Sequence, residues 1–114
     1  MIGRLLLPTP DDVLTQIRGT RAELLRGPDA IEKLELAAER AEFAAQLRFD
    51  TALMTAEGSV PEKQAQARMA SAESRDEAFI ARAAYNRARA KIRALEGSLV
   101  SLQAELKFMN LEGA

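Results

Sequence analysis

Large apolar side chains recur every seven residues along the C-terminal part of this chain. Tyr85, Ile92, Leu99 and Leu106 form one series, and Ala88, Leu95, Leu102 and Met109 follow three residues behind. Alternating steps of three and four place both series on one stripe of an α-helix, the seam of a coiled coil. A half-buried strand needs a period of two, and no segment shows that pattern. The expected fold class is all-α: a short N-terminal helix, then a long antiparallel helical hairpin with a coiled-coil C-terminal segment.

Composition narrows the architecture. The 114 residues suit a single domain. Alanine accounts for 22 of them, with four Phe, one Tyr and no Trp. Alanine favours helix but buries little area per residue, so thin helix-on-helix packing is expected, with room for a second chain to complete it. Cysteine and histidine are both missing, which excludes disulfides, thiolate nucleophiles, imidazole bases and the usual zinc sites. The carboxylates follow helical spacing and no Asp-rich loop accompanies them, so neither a metal nor a cofactor is implied. Glycine-rich phosphate loops and nucleophile elbows are missing too, and the chain is not expected to be an enzyme. Ile2 to Leu7 is too short for the apolar part of a signal peptide, and Pro8 follows it directly. No apolar run approaches the roughly 20 residues that span a bilayer. The expectation is a soluble cytoplasmic protein with no membrane partner.

Local signals divide the chain into three helices. Thr9-Pro10-Asp11-Asp12 is a helix start: threonine caps, proline suits the first turn, and two acids favour the positive end of the dipole. Helix 1 is expected over about 10–26, with Val13, Leu14, Ile17, Leu24 and Leu25 on its apolar face and Gly27-Pro28 as its stop. Helix 2 is expected over about 29–57. Its apolar stripe is wide enough to touch neighbours on two sides. Gly58 suits a left-handed helix end, and Ser59-Val60-Pro61-Glu62 reads as a capping box, so residues 58–61 form the hairpin turn. Helix 3 is expected over about 61–110, with residues 71–74 as the place where it would break.

Lengths give the C-terminal seam a consequence. Helix 2 spans about 43 Å and an unbroken helix 3 about 73 Å, so helix 2 covers helix 3 only to about residue 90. The seam from Ile92 to Met109 then needs another partner, either helix 1 or copies of the same segment. Because helix 1 carries Gly19 and a single apolar face, the expectation is a homo-oligomer held by Tyr85, Ile92, Leu95, Leu99, Leu102, Leu106 and Met109.

The net charge of −1 hides a segregation. Asp29 to Glu57 holds seven acids and three bases, whereas Ala78 to Leu95 holds five bases and no acid. Arg68, Arg75, Arg82 and Arg89 also recur every seven residues, at a position flanking the seam. The stripe admits two readings. Arginine forks suit phosphate oxygens, so it is a candidate track for nucleic acid. Flanking coiled-coil positions also pair with acids, and Glu32, Glu35, Glu39 and Glu42 are at hand. By spacing alone, pairing is the safer reading. Tyr85, set among these bases, can stack on an unpaired base or fill the seam, and the seam is the plainer role.

The order of elements also resembles a known class. Leu47-Arg48-Phe49-Asp50 precedes Thr55-Ala56-Glu57-Gly58-Ser59-Val60; an alanine- and arginine-rich helix then runs through Tyr85-Asn86-Arg87-Ala88 to Leu99-Val100-Ser101-Leu102-Gln103-Ala104-Glu105-Leu106-Lys107. This resembles small helical bacteriophage recombination-accessory proteins similar to the UvsY recombination mediator. The likeness covers a little over half the chain and carries no invariant motif. Helix 2 departs from it in being acidic on balance. The resemblance implies a homo-oligomer in the host cytoplasm that binds single-stranded DNA without sequence preference. It also implies help in loading a recombinase, in the presence of a single-strand-binding protein. Carried onto this sequence, the DNA contacts are Arg48, Arg68, Arg75, Arg82, Arg87, Arg89, Lys91 and Arg93. Two other readings stay open: a protein-binding adaptor or inhibitor, and a structural coiled-coil subunit.

Overall fold

The computed structural model describes residues 9–113, with side chains described as far as residue 110. The expectation for Ile2 to Leu7 lies outside the described residues. Two helices account for nearly everything described: α1 (Pro10–Thr55) and α2 (Val60–Gly113). No strand occurs among the described residues.

The start of α1 follows the sequence signal closely. The Thr9 N–H donates to Asp12 Oδ2 at 3.0 Å, and the Asp12 N–H donates to Thr9 Oγ1 at 3.2 Å. Each side chain thus satisfies a backbone donor that the helix leaves unpaired. The hydrogen bond from the Thr9 backbone, and then that from its side chain, holds the Asp12 carboxyl below its ordinary pKa.

The expected break at Gly27-Pro28 does not occur. Helices 1 and 2 are one helix, with Pro28 inside it. An interior proline removes one backbone hydrogen bond and costs about 3 kcal/mol. The pattern of burial shows what offsets that cost. Val13, Ile17, Thr20, Leu24, Gly27, Ile31, Leu34, Ala38, Ala41 and Ala45 are all buried or half-buried, and their spacing alternates strictly between four and three. Pro28 is exposed beside this row and leaves its phase intact. Gly27 is buried within the row, where a Cβ would overlap Cδ1 of Ile92. A residue that reads as a stop in sequence is a point of close approach between helices.

The turn occupies residues 56–59, two residues earlier than the expected 58–61. Gly58 has φ 116°, the left-handed region that favours glycine. Ser59 caps α2: its Oγ accepts from the Glu62 N–H at 3.4 Å and its carbonyl from the Lys63 N–H at 2.9 Å. Gln66 Nε2 donates to the Glu57 carbonyl at 2.9 Å, tying the first turns of α2 back to the loop. No break appears at 71–74. Ser71 is fully buried, and its hydroxyl donates to the Ala67 carbonyl one turn back at 2.8 Å. A small side chain that satisfies itself in this way sits in a helix interface without needing a partner on the other helix.

By contact the chain divides into two units. Residues Ala30–Ala88 form one; the described residues up to Asp29, with those from Arg89 onward, form the other. In the first, α1 and α2 pack antiparallel on either side of the turn, and Ala38, Ala45, Ala67, Ser71 and Ala78 are the buried residues. Small side chains allow close backbone approach and bury little apolar area. In the second unit the fillers are larger. Val13 and Ile17 are buried, and Leu24, Ile92, Leu95, Leu99, Leu102, Leu106 and Met109 are half-buried. Each such side chain, fully buried, contributes about 1.5–3 kcal/mol.

This second unit corrects the argument from length. The seam from Ile92 to Met109 has a partner within its own chain, because α1 runs through Pro28 and brings residues 10–29 alongside it. No copy of the chain is needed to cover it. Among the described residues no helix is long and apolar enough to cross a membrane.

Candidate nucleic-acid interface

The buried row of α2 fixes what each arginine can do. It begins well before Tyr85: Ala67, Ser71, Ser74, Ala78, Ala81, Tyr85 and Ala88 continue the same alternation of four and three. Arg68, Arg75, Arg82 and Arg89 each directly follow a residue of this row, so all four flank the seam on one side, heptad position e. In an antiparallel pair, reversal of one helix sets e opposite e and g opposite g. Two interhelical ion pairs obey that rule. Arg82 and Glu42 both occupy e, and Lys91 and Glu23 both occupy g.

Arg82 is engaged on two sides. Its Nε donates to Glu42 Oε2 at 2.9 Å, and its Nη2 donates to the other carboxylate oxygen, making a two-point fork. Its guanidinium carbon lies 5.3 Å from the centroid of the Tyr85 ring, within cation–π range. The hydrogen bond from Arg82 holds the Glu42 carboxyl below its ordinary pKa, and the same bond raises the pKa of Arg82. Tyr85 is half-buried on the seam beneath this fork, which is the plainer of its two expected roles.

The other expected contacts are placed differently. Arg75 Nη2 donates to the Arg68 carbonyl at 2.9 Å, so Arg75 folds back along its own helix. Lys91 Nζ lies 3.8 Å from Glu23 Oε2, a loose pair in which the lysine remains mostly exposed. Arg68, Arg87, Arg89 and Arg93 are exposed on α2. Arg48 is exposed on α1, beside a shallow concavity lined also by Ala44, Leu47, Thr51, Ala52 and Ala70. The period of seven therefore collects residues with different surroundings. Arg82 answers an acid of the same chain, whereas Arg87 and Arg93 lie on the exposed surface of an acid-free stretch.

The expected oligomerisation residues are also relocated. Tyr85 is half-buried in the 30–88 unit; Ile92, Leu95, Leu99, Leu102, Leu106 and Met109 are half-buried in the other unit. All seven lie on the seam with α1. The large apolar side chains that remain exposed lie elsewhere and include Leu36, Phe43, Leu47 and Met54 on α1. The wide apolar stripe expected of helix 2 is two rows, and the inner one runs unbroken from Val13 to Ala45 across Pro28. The signal was present in the unbroken spacing of four and three.

No known protein family, curated protein or solved structure matches the chain.

Proposed function

We propose that the chain is a non-catalytic accessory protein of recombination, a homo-oligomer that binds single-stranded DNA without sequence preference and assists recombinase loading. The observation that carries this reading is the exposed basic stretch of α2. Arg87, Arg89, Lys91 and Arg93 are all exposed, and no acid interrupts the segment from Ala78 to Leu95. Exposed cations on a helix attract a phosphate chain and release its counterions. Arg82 contributes less, since Glu42 already takes its fork. Arg68 and Arg48 are secondary contacts. The resemblance to phage recombination mediators adds the recombinase and the single-strand-binding protein as partners.

Fluorescence anisotropy of a labelled single-stranded oligonucleotide tests the proposal. If about four phosphates are neutralised, log affinity falls against log salt with a slope of about −3. R87E/R93E loses most of the binding, and R82E loses it less. Wild-type protein that ignores the oligonucleotide at low salt overturns the reading. A second reading, a protein-binding adaptor, is favoured by an acidic patch: Glu32, Glu35 and Glu39 surround Leu36 on α1 and suit a basic protein ligand. That reading predicts binding unaffected by R87E/R93E and lost in E32K/E39K.

A further inference from the structure

The exposed apolar residues of α1 form a second coiled-coil row of their own. Leu36, Arg40, Phe43, Leu47, Asp50 and Met54 follow one another in steps of four, three, four, three and four. All six are exposed, and all belong to the 30–88 unit. Phe43 and Met54 are 71% and 86% exposed, values far from those of seam residues such as Ala38 at 0%. The row spans about 27 Å of helix. A 4-3 repeat with four large apolar members is the pattern that a partner helix covers.

The row is its own complement when reversed. Rotation by half a turn about Ala45 sets Leu36 against Met54, Phe43 against Leu47, and Arg40 against Asp50. Every apolar residue meets an apolar one, and every charge meets its opposite. Each layer also joins an a position to a d position, as antiparallel coiled coils require. The flanking pairs are Ala44 with Thr51 and Glu39 with Gln46, so no like charges face each other. Parallel self-pairing instead sets Arg40 against Arg40 and Asp50 against Asp50, which disfavours it. No ion pair within the described chain engages Arg40. Asp50 accepts a hydrogen bond at 2.9 Å from Gln46 on its own exposed face.

We infer that this outer row of α1 binds a second copy of the chain, antiparallel and two-fold symmetric about Ala45, with the Arg40–Asp50 pairs setting the register. An isologous interface demands that a surface match itself under reversal. A surface shaped for an unrelated protein has no such requirement. The inference deepens the self-association in the proposed function and moves it from the C-terminal seam to α1. It stands whether or not the protein binds DNA.

Sedimentation equilibrium of the full chain tests it, with circular dichroism confirming unchanged helix content. Wild type associates to twice its 12.5 kDa mass. R40D and D50R, each of which sets like charges together, weaken dimerisation by at least about tenfold. An equimolar mixture of the two variants regains the dimer, because the acidic row of R40D meets the basic row of D50R. L47E abolishes association. Wild type that stays monomeric up to about 1 mM overturns the inference. So does a dimer indifferent to R40D and D50R, or a mixture that fails to recover. DNA binding is not read in this experiment, so its outcome and that of the oligonucleotide titration are independent.

Discussion

Replacing Gly27 with alanine sets two known effects against each other. Alanine in a helix interior is worth about 1 kcal/mol over glycine. Here the added Cβ overlaps Cδ1 of Ile92 and lies 3.4 Å from its Cγ1. Ile92 can turn its Cδ1 aside, but Cγ1 stays tight. Overpacking of this kind costs about 1–3 kcal/mol. The expected net effect of G27A is therefore a loss of about 0–2 kcal/mol, where propensity alone predicts a gain. I92V removes the obstructing methyl and costs about 0.5–1.5 kcal/mol by itself. In G27A/I92V the new methyl occupies the vacated space, the helix gain is retained, and stability returns close to wild type. The double-mutant cycle should show a favourable coupling of about 1–2 kcal/mol. Urea unfolding followed by circular dichroism measures all four stabilities. Additive effects, or a G27A variant stabilised by the full about 1 kcal/mol, refute the close approach of Gly27 and Ile92.

Three further expectations concern the same scaffold. P28A restores a backbone hydrogen bond inside α1 and raises stability by about 1–3 kcal/mol; an unchanged Tm refutes a continuous helix through residue 28. Glu42 has a folded pKa below its unfolded value, so its contribution is present above the unfolded pKa and lost as pH falls through the folded one. E42Q should accordingly lower Tm at neutral pH and flatten its decline into acid, and an acid limb parallel to wild type counts against the Arg82 fork. S71L forces a large side chain into a fully buried position and should cost about 1–3 kcal/mol or more, whereas S71A stays within about 1 kcal/mol because the hydroxyl bonds only its own helix. Equal costs for the two substitutions contradict the close packing at Ser71.

The helices themselves were legible in the sequence where the signals were local. Thr9 to Asp12, Gly58 and Ser59 are short-range devices, and each acts as its chemistry suggests. The heptads from Tyr85 to Met109 also lie on one half-buried row. Gly27-Pro28 misled because a breaker's cost is local while its compensation is not. Leu24 and Ile31 keep their phase across Pro28, and Gly27 is where the neighbouring helix comes closest. The arginine period was legible, but its meaning was not. Whether Arg82 meets a phosphate or Glu42 depends on which residues an antiparallel register sets opposite each other. That register is set by the turn at residues 56–59 and by which row of α1 faces inward. The outer row from Leu36 to Met54 was hidden for the same reason: two stripes seven residues apart in period look like one wide stripe until the inner one is assigned.

A cross-link tests the central claim, that α2 closes on α1 of its own chain. The register that sets Gly27 opposite Ile92 sets Ala38 opposite Ala81, since both pairs lie at equal distances from the turn. The chain has no cysteine of its own. Mild oxidation of A38C/A81C, followed by mass measurement under denaturing and non-reducing conditions, should give a single internally bridged chain of about the 12.5 kDa monomer mass. Bridged species at multiples of that mass, or thiols that remain unpaired, contradict the intrachain seam.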